Sequence, residues 1–233
     1  MAVIVCVTVV GIASGHRVFD NQNGRGAYQV GTYPPHHQQV LWAFDSGFPD
    51  GNSRRAVREG AVAWNNLGRR LQFEHDSQSL STERRFDGAN HYCSFERPPL
   101  QRRGRPLSAV FWEVLPNADG ADILARAGVC LQNNEIAGFR MAFDSSQPNW
   151  YRGSSASVPN DRTDMQATAA HEFGHASGWF PHYDGRRSLS GRAHCGLDNV
   201  NRQTMCMSIG RGQARQRTLG QHDRHTFEGA YGR

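Results

Sequence analysis

Residues 163–182 read TDMQATAAHEFGHASGWFPH, and the run up to Gly178 has the pattern of a helix. Met165, Ala169, Phe173 and Ala176 recur at helical spacing, and Thr163 with Gln166 three residues later fits a capping box. A helix of about three turns follows. Gly178 suits the left-handed position just past its end, after which Trp179, Phe180 and Pro181 turn the chain back and deliver His182.

Within that helix, His171 and His175 lie four residues apart and share one face, so two imidazole nitrogens can reach one ion. Glu172 flanks the same ion without having to ligate it, where its carboxylate can take a proton from water. His182 is the expected third ligand, with Asp184 and His194 in the same loop region as reserves, since imidazole and carboxylate both suit zinc. The bland reading of HExxH is two solvated histidines on a helix surface. Gly178, a third histidine in reach and the helical pattern before it weigh against that.

HEFGHASGWFPH resembles the zinc signature HExxHxxGxxH of the metzincin metallopeptidases, and NRQTMCMSIG at 201–210 resembles that clan's Met-turn. Position 181, where the family places its third ligand, is proline here, and His182 comes one residue later; a loop absorbs such an extension cheaply. The likeness continues in AVAWNNL, in FRMAFDSS followed by NWY, and in RTLGQHD, which are similar to matrixin-like domains, and it spans roughly residues 38 to 233. It implies an α+β fold: a twisted, mostly parallel sheet with an antiparallel edge strand, packed on the active-site helix, and a small irregular C-terminal subdomain ending in a helix. It further implies Zn2+ as cofactor, Met205 (with Met207 the other candidate) as an apolar floor beneath the ligands, and Phe139 to Asp144 as the sheet edge beside a cleft for extended peptides.

Composition fits one exported globular unit: 233 residues, 38% hydrophobic and 20% charged, allow a core of useful size. The apolar run from Ala2 to Ala13, followed by small residues, resembles a signal peptide and is too short to span a bilayer; a buried first strand is the other reading. The expected segments are 1–15 as signal, 16–37 as N-terminal extension, 38–178 as sheet and zinc helix, and 179–233 as the C-terminal subdomain. Five cysteines become four once Cys6 leaves with the signal. Of the three pairings then possible, proximity favours Cys195 with Cys206 and Cys93 with Cys130, in an oxidising compartment.

Elsewhere, VLWAFDSGF (40–48) reads as a strand. A helix follows in which Ser53 can cap and Val57, Gly60, Ala61, Trp64 and Leu67 form an apolar stripe, making Trp64 core. LQFEHD at Leu71 is a second strand with His75 facing solvent. Ser81 to Arg105 is a long polar loop, SAVFWEVL (108–115) a strand, ADILARAGVC a strand or a short helix, IAGFRMAF a strand, and Thr218 to Tyr231 a last helix.

The net charge of +5 comes from scattered arginines without interleaved stacking aromatics, so no nucleic-acid partner is expected, and no membrane span. The function these readings favour is a secreted, monomeric zinc endopeptidase that hydrolyses protein or peptide substrates with zinc-activated water and Glu172 as general base. A catalytically silent zinc-containing domain that binds a partner through the same cleft, and a protease specialised for one protein, are the alternatives. A purely structural zinc site has no use for Glu172 and usually closes its fourth position with Cys or His. Calcium stays open, since no run of closely spaced carboxylates marks a site.

Overall fold

The computed structural model describes residues 6–7, 33, 38–49, 51–78, 100–102, 105–115, 123–132, 135–178, 203–206 and 209–232. Its centre is a sheet whose strands are β1 (Cys6–Val7), β2 (Gln39–Phe44), β3 (Gln72–His75), β4 (Leu100–Arg102), β5 (Arg105–Glu113), β6 (Ala125–Gln132) and β7 (Glu135–Asp144). The order is β1-β6-β7-β5-β2-β3, with β4 forming a hairpin on β5. Three neighbouring pairs, β7/β5, β5/β2 and β2/β3, are parallel. β6 runs antiparallel to β7, which agrees with the mostly parallel sheet and antiparallel border strand expected.

Val40, Trp42 and Phe44 of β2 enter one apolar cluster and Leu41 and Ala43 a second on the opposite face. A strand covered on both faces reads as an unbroken apolar run, the pattern of a central parallel strand. The first cluster is roofed by α1 (Asn52–Asn65) and α2 (Met165–Ala176). Phe173, the central residue of HEFGH, fixes α2 to the sheet. Its ring lies 4.9 Å from Phe73, 5.3 Å from Trp42 and 5.7 Å from Phe139. Burying that ring contributes about 1.5–3 kcal/mol.

The two roofing helices cross very closely. A methyl group on Gly60 would sit 2.6 Å from the Ala169 Cβ. Trp64, buried as expected, sends its indole N–H across the crossing to the Ala170 carbonyl at 2.7 Å. A two-stranded parallel ribbon of β8 (Trp150–Tyr151) and β9 (Thr163–Asp164) leads into α2. A 3₁₀ turn (Arg215–Arg217) and α3 (Gln221–Tyr231) follow α2. Among the described residues no helix is long and apolar enough to cross a membrane.

Several expectations change. The helix α1 begins at Asn52 after Gly51, which has φ 62°, so Ser53 sits buried inside the first turn and caps nothing. The stretch from Ser81 to Arg105, expected to be loop throughout, holds β4, paired at Leu100 with Leu107. ADILARAGVC resolves as strand from Ala125. Phe139 to Asp144 is not the sheet edge: β7 is hydrogen-bonded on both sides, to β5 and β6. The physical reason is its burial, since every residue from Phe139 to Asp144 is inaccessible on both faces. Of the apolar run near the start, Cys6–Val7 pair with Cys130 and Val129 of β6.

Candidate metal centre

The helix that carries the histidines is started by Asp164, whose carboxylate accepts the Ala167 N–H at 3.0 Å. The expected cap, Thr163, is instead held extended by its pairing with Trp150, and its N–H goes to the Asn149 carbonyl at 2.8 Å. At the other end Gly178 has φ 84°, a left-handed conformation that only glycine adopts without cost, and its N–H returns to the His175 carbonyl at 2.9 Å.

His171 and His175 meet as their spacing requires. Their Nε2 atoms face one another at 3.1 Å, with the ring planes at 80°. The His171 Nδ1 lies 2.8 Å from the Thr204 carbonyl oxygen. A carbonyl can only accept, so Nδ1 carries the proton and Nε2 presents its lone pair toward the His175 Nε2. Burial pushes the His171 imidazole down to about 4, against a smaller opposing effect of the Thr204 carbonyl, which keeps the ring neutral at neutral pH. Two nitrogens bound tetrahedrally at 2.0–2.1 Å stand about 3.3 Å apart, close to the spacing the pair already has.

Glu172 is buried, 2% exposed, on a helix that packs against β6. Its Oε2 is buried without a hydrogen-bond partner among the described residues. Burial therefore holds the carboxyl well above its usual range, the Ala127 backbone N–H lowering it in part. Glu172 is thus a buried acid with an unsatisfied oxygen, one residue along the helix from a histidine whose Nε2 faces that of His175. The packing of α2 also shows which strand borders the site. It is β6, which pairs with β1 only at Val129 and Cys130.

Beneath the histidines lies the turn 203–206, wholly buried. Met205 packs against Gly174. A methyl on Gly174 would collide with the Met205 Sδ and fall 2.9 Å from the Trp64 Cζ2, so glycine between the two histidines makes room for the methionine. The turn is held by Asp223, a buried residue in the first turn of α3 that sequence reading missed. Its carboxylate accepts the N–H groups of Thr204 at 2.7 Å, Gly220 at 2.9 Å and Met205 at 3.4 Å. Burial raises it to about 6, the Thr204 and Gly220 bonds acting the other way. The signal available was GQHD, an acid three residues after a glycine at a helix start.

Two tyrosines close the far end of α2. The Tyr33 hydroxyl donates to the Ala176 carbonyl at 3.1 Å and the Tyr231 hydroxyl to Ser177 at 2.5 Å. Arg217 grips the near end through Asp164, and also donates to the Gly153 and Ser154 carbonyls at 2.8 Å.

Of the expected site residues, His171 and His175 face each other, Met205 packs against Gly174 between them, and Glu172 is buried on the same helix. His182, its reserves Asp184 and His194, and Met207 lie outside the described residues. Among the described residues no group of three or more His, Cys, Asp or Glu is placed to hold a metal. Cys206 is disulfide-bonded; Cys195 and Cys93 lie outside the described residues, and of Cys130 only the strand position is described. His75 does not face solvent as expected. Its ring is half-buried, 4.7 Å from Trp42 and 5.2 Å from Phe44. No family model matches the chain, and a search of curated proteins found no match.

Proposed function

We propose that this chain is a zinc-dependent endopeptidase of metzincin type, acting outside the cell, in which His171 and His175, joined by His182, hold the metal and Glu172 is the general base. The observation that carries the reading is the pair of Nε2 atoms facing each other at 3.1 Å beside the buried, unsatisfied Glu172 carboxyl. Zinc, when bound at such a site, supplies a Lewis acid that polarises a carbonyl and brings the pKa of water toward about 7. The positive charge also stabilises ionised Glu172, offsetting the burial that otherwise keeps it protonated. Ionised Glu172 then accepts the proton of the attacking water at its free Oε2 and hands it to the leaving amine. An extended peptide would lie along β6, the strand on the site's border, by ordinary strand addition.

The test is Glu172→Gln. The variant is expected to keep its zinc and its fold while cleavage of casein falls by about 10²-fold or more; retained cleavage removes Glu172 from the mechanism. Cleavage by the parent must also stop on chelation. A parent that binds zinc and cleaves nothing in a broad peptide library would favour the silent binding domain. His182→Ala should weaken zinc binding, and unchanged binding would pass the third-ligand role to Asp184 or His194.

A further inference from the structure

We infer that Asp223 is a positioning residue for His171, acting through the peptide group that joins Thr204 to Met205. The inference rests on the reading of His171 as a metal ligand. That peptide group has two ends. Its carbonyl, belonging to Thr204, accepts the His171 Nδ1–H at 2.8 Å, and its N–H, belonging to Met205, points at the Asp223 Oδ1 at 3.4 Å. The shorter bond from the Thr204 N–H to the Asp223 Oδ2, at 2.7 Å, fixes the orientation of the turn. A carboxylate drawing on one end of an amide makes the other end a better acceptor, because hydrogen bonds in series polarise one another where the dielectric is low.

The result is the histidine–carboxylate pairing that commonly stands behind metal-binding imidazoles, with one peptide unit inserted between the two partners. It locks the tautomer in which Nε2 carries a lone pair and no proton, and it makes that nitrogen more basic. Asp223 is completely buried, as are Thr204 and Met205, so no solvent competes for these bonds. A neutral side chain at 223 would still fill space, but it would not polarise the amide.

Asp223→Asn tests this by two readings. One is zinc affinity, by competition with a chromophoric chelator; the other is the His171 tautomer in the metal-free protein, from ring 15N chemical shifts. The Asn variant is expected to bind zinc about 10- to 100-fold more weakly and to show a mixture of His171 tautomers, where the parent shows Nδ1–H alone. Phe227→Leu, which loosens the packing of α3 without touching the carboxylate, serves as control. It should lower the melting temperature while leaving the tautomer unchanged and zinc affinity within about twofold of the parent. If Asn does not fold, Asp223→Ser takes its place with the same expectation. A folded neutral variant with the parent's tautomer and zinc affinity overturns the proposal. A parent that binds no zinc overturns the metal reading instead, and the tautomer comparison still decides the role of Asp223.

Discussion

Arg217 and Asp164 form a buried ion pair at 2.7 Å, with side-chain exposures of 10% and 0%. It ties the 3₁₀ turn at Arg215–Arg217 to the residue that starts α2. Three acceptors converge on this guanidinium, a carboxylate and two carbonyls, which only a planar fork can serve together. Arg217→Ala leaves Asp164 buried without its counter-charge and is expected to cost about 3–5 kcal/mol in urea unfolding. Arg217→Lys should recover part of that loss. A loss under about 0.5 kcal/mol in the alanine variant, the range of ordinary surface substitutions, would show that the pair does not hold the cap in place.

Gly60 and Gly229 make opposite predictions from the same substitution. Alanine has the higher helix propensity by about 1 kcal/mol at either position. At Gly229 in α3 nothing lies within 4 Å of an added Cβ, so Gly229→Ala should stabilise by about 0.5–1 kcal/mol. At Gly60 the added carbon meets the Ala169 Cβ at 2.6 Å and the Ala170 backbone nitrogen at 2.7 Å, neither of which can swing aside. Gly60→Ala should therefore lose about 1–3 kcal/mol by overpacking, with zinc binding reduced because α2 is displaced. Equal effects at the two sites would refute the close crossing.

His75 makes the metal-free protein sensitive to acid. Its imidazole is lowered to about 4, first by burial among aromatic rings, then by Arg58 and, more weakly, Arg54, with Asp76 opposing. The folded value lies below the unfolded one, so its contribution is intact above about pH 6.5 and is lost as pH falls toward 4. His171 titrates in the same direction. Asp223, raised to about 6, does the reverse, since its protonated form is favoured in the fold and stability rises as pH falls below that value. Comparing the metal-free parent with His75→Phe isolates the first effect. The variant should lose less stability between pH 7 and 4.5, by on the order of 1 kcal/mol after allowance for partial exposure. Parallel curves would mean that His75 is as free to protonate when folded as when unfolded.

The helix α2 was legible because its evidence is local: imidazoles four apart, a phenylalanine between them, a glycine where the helix must stop. Strands β2, β5 and β7 were legible for the same reason. What could not be read was the order of strands, because pairing partners are far apart in sequence and no residue of FRMAF names its neighbours. Its unbroken burial does separate it from ARAGV, where Arg126 and Gly128 are only half-buried between inaccessible alanines and Val129. The cap was misassigned between adjacent residues, Thr163 and Asp164, since either side chain can accept an N–H and the choice depended on a ribbon partner at Trp150. Asp223 was missed because its partners lie about 20 positions away in the turn 203–206, and His75 because the rings of Trp42 and Phe44 reach it only through sheet pairing.

The supports of α2 come from far along the chain. Ala176 is held by Tyr33 across 143 positions, Ala170 by Trp64 across 106, Ser177 by Tyr231 across 54, and His171 by Thr204 across 33. A helix of 12 residues is marginal alone in water, and contacts of this span form only after large loops have closed. Assembly of the histidine pair is thus a late event in folding, dependent on segments near both ends of the chain. On the proposed metal reading, zinc uptake during refolding is therefore expected to follow the slowest kinetic phase, and a nascent chain that has emerged only as far as HEFGH would present its histidines without the framework that orients them.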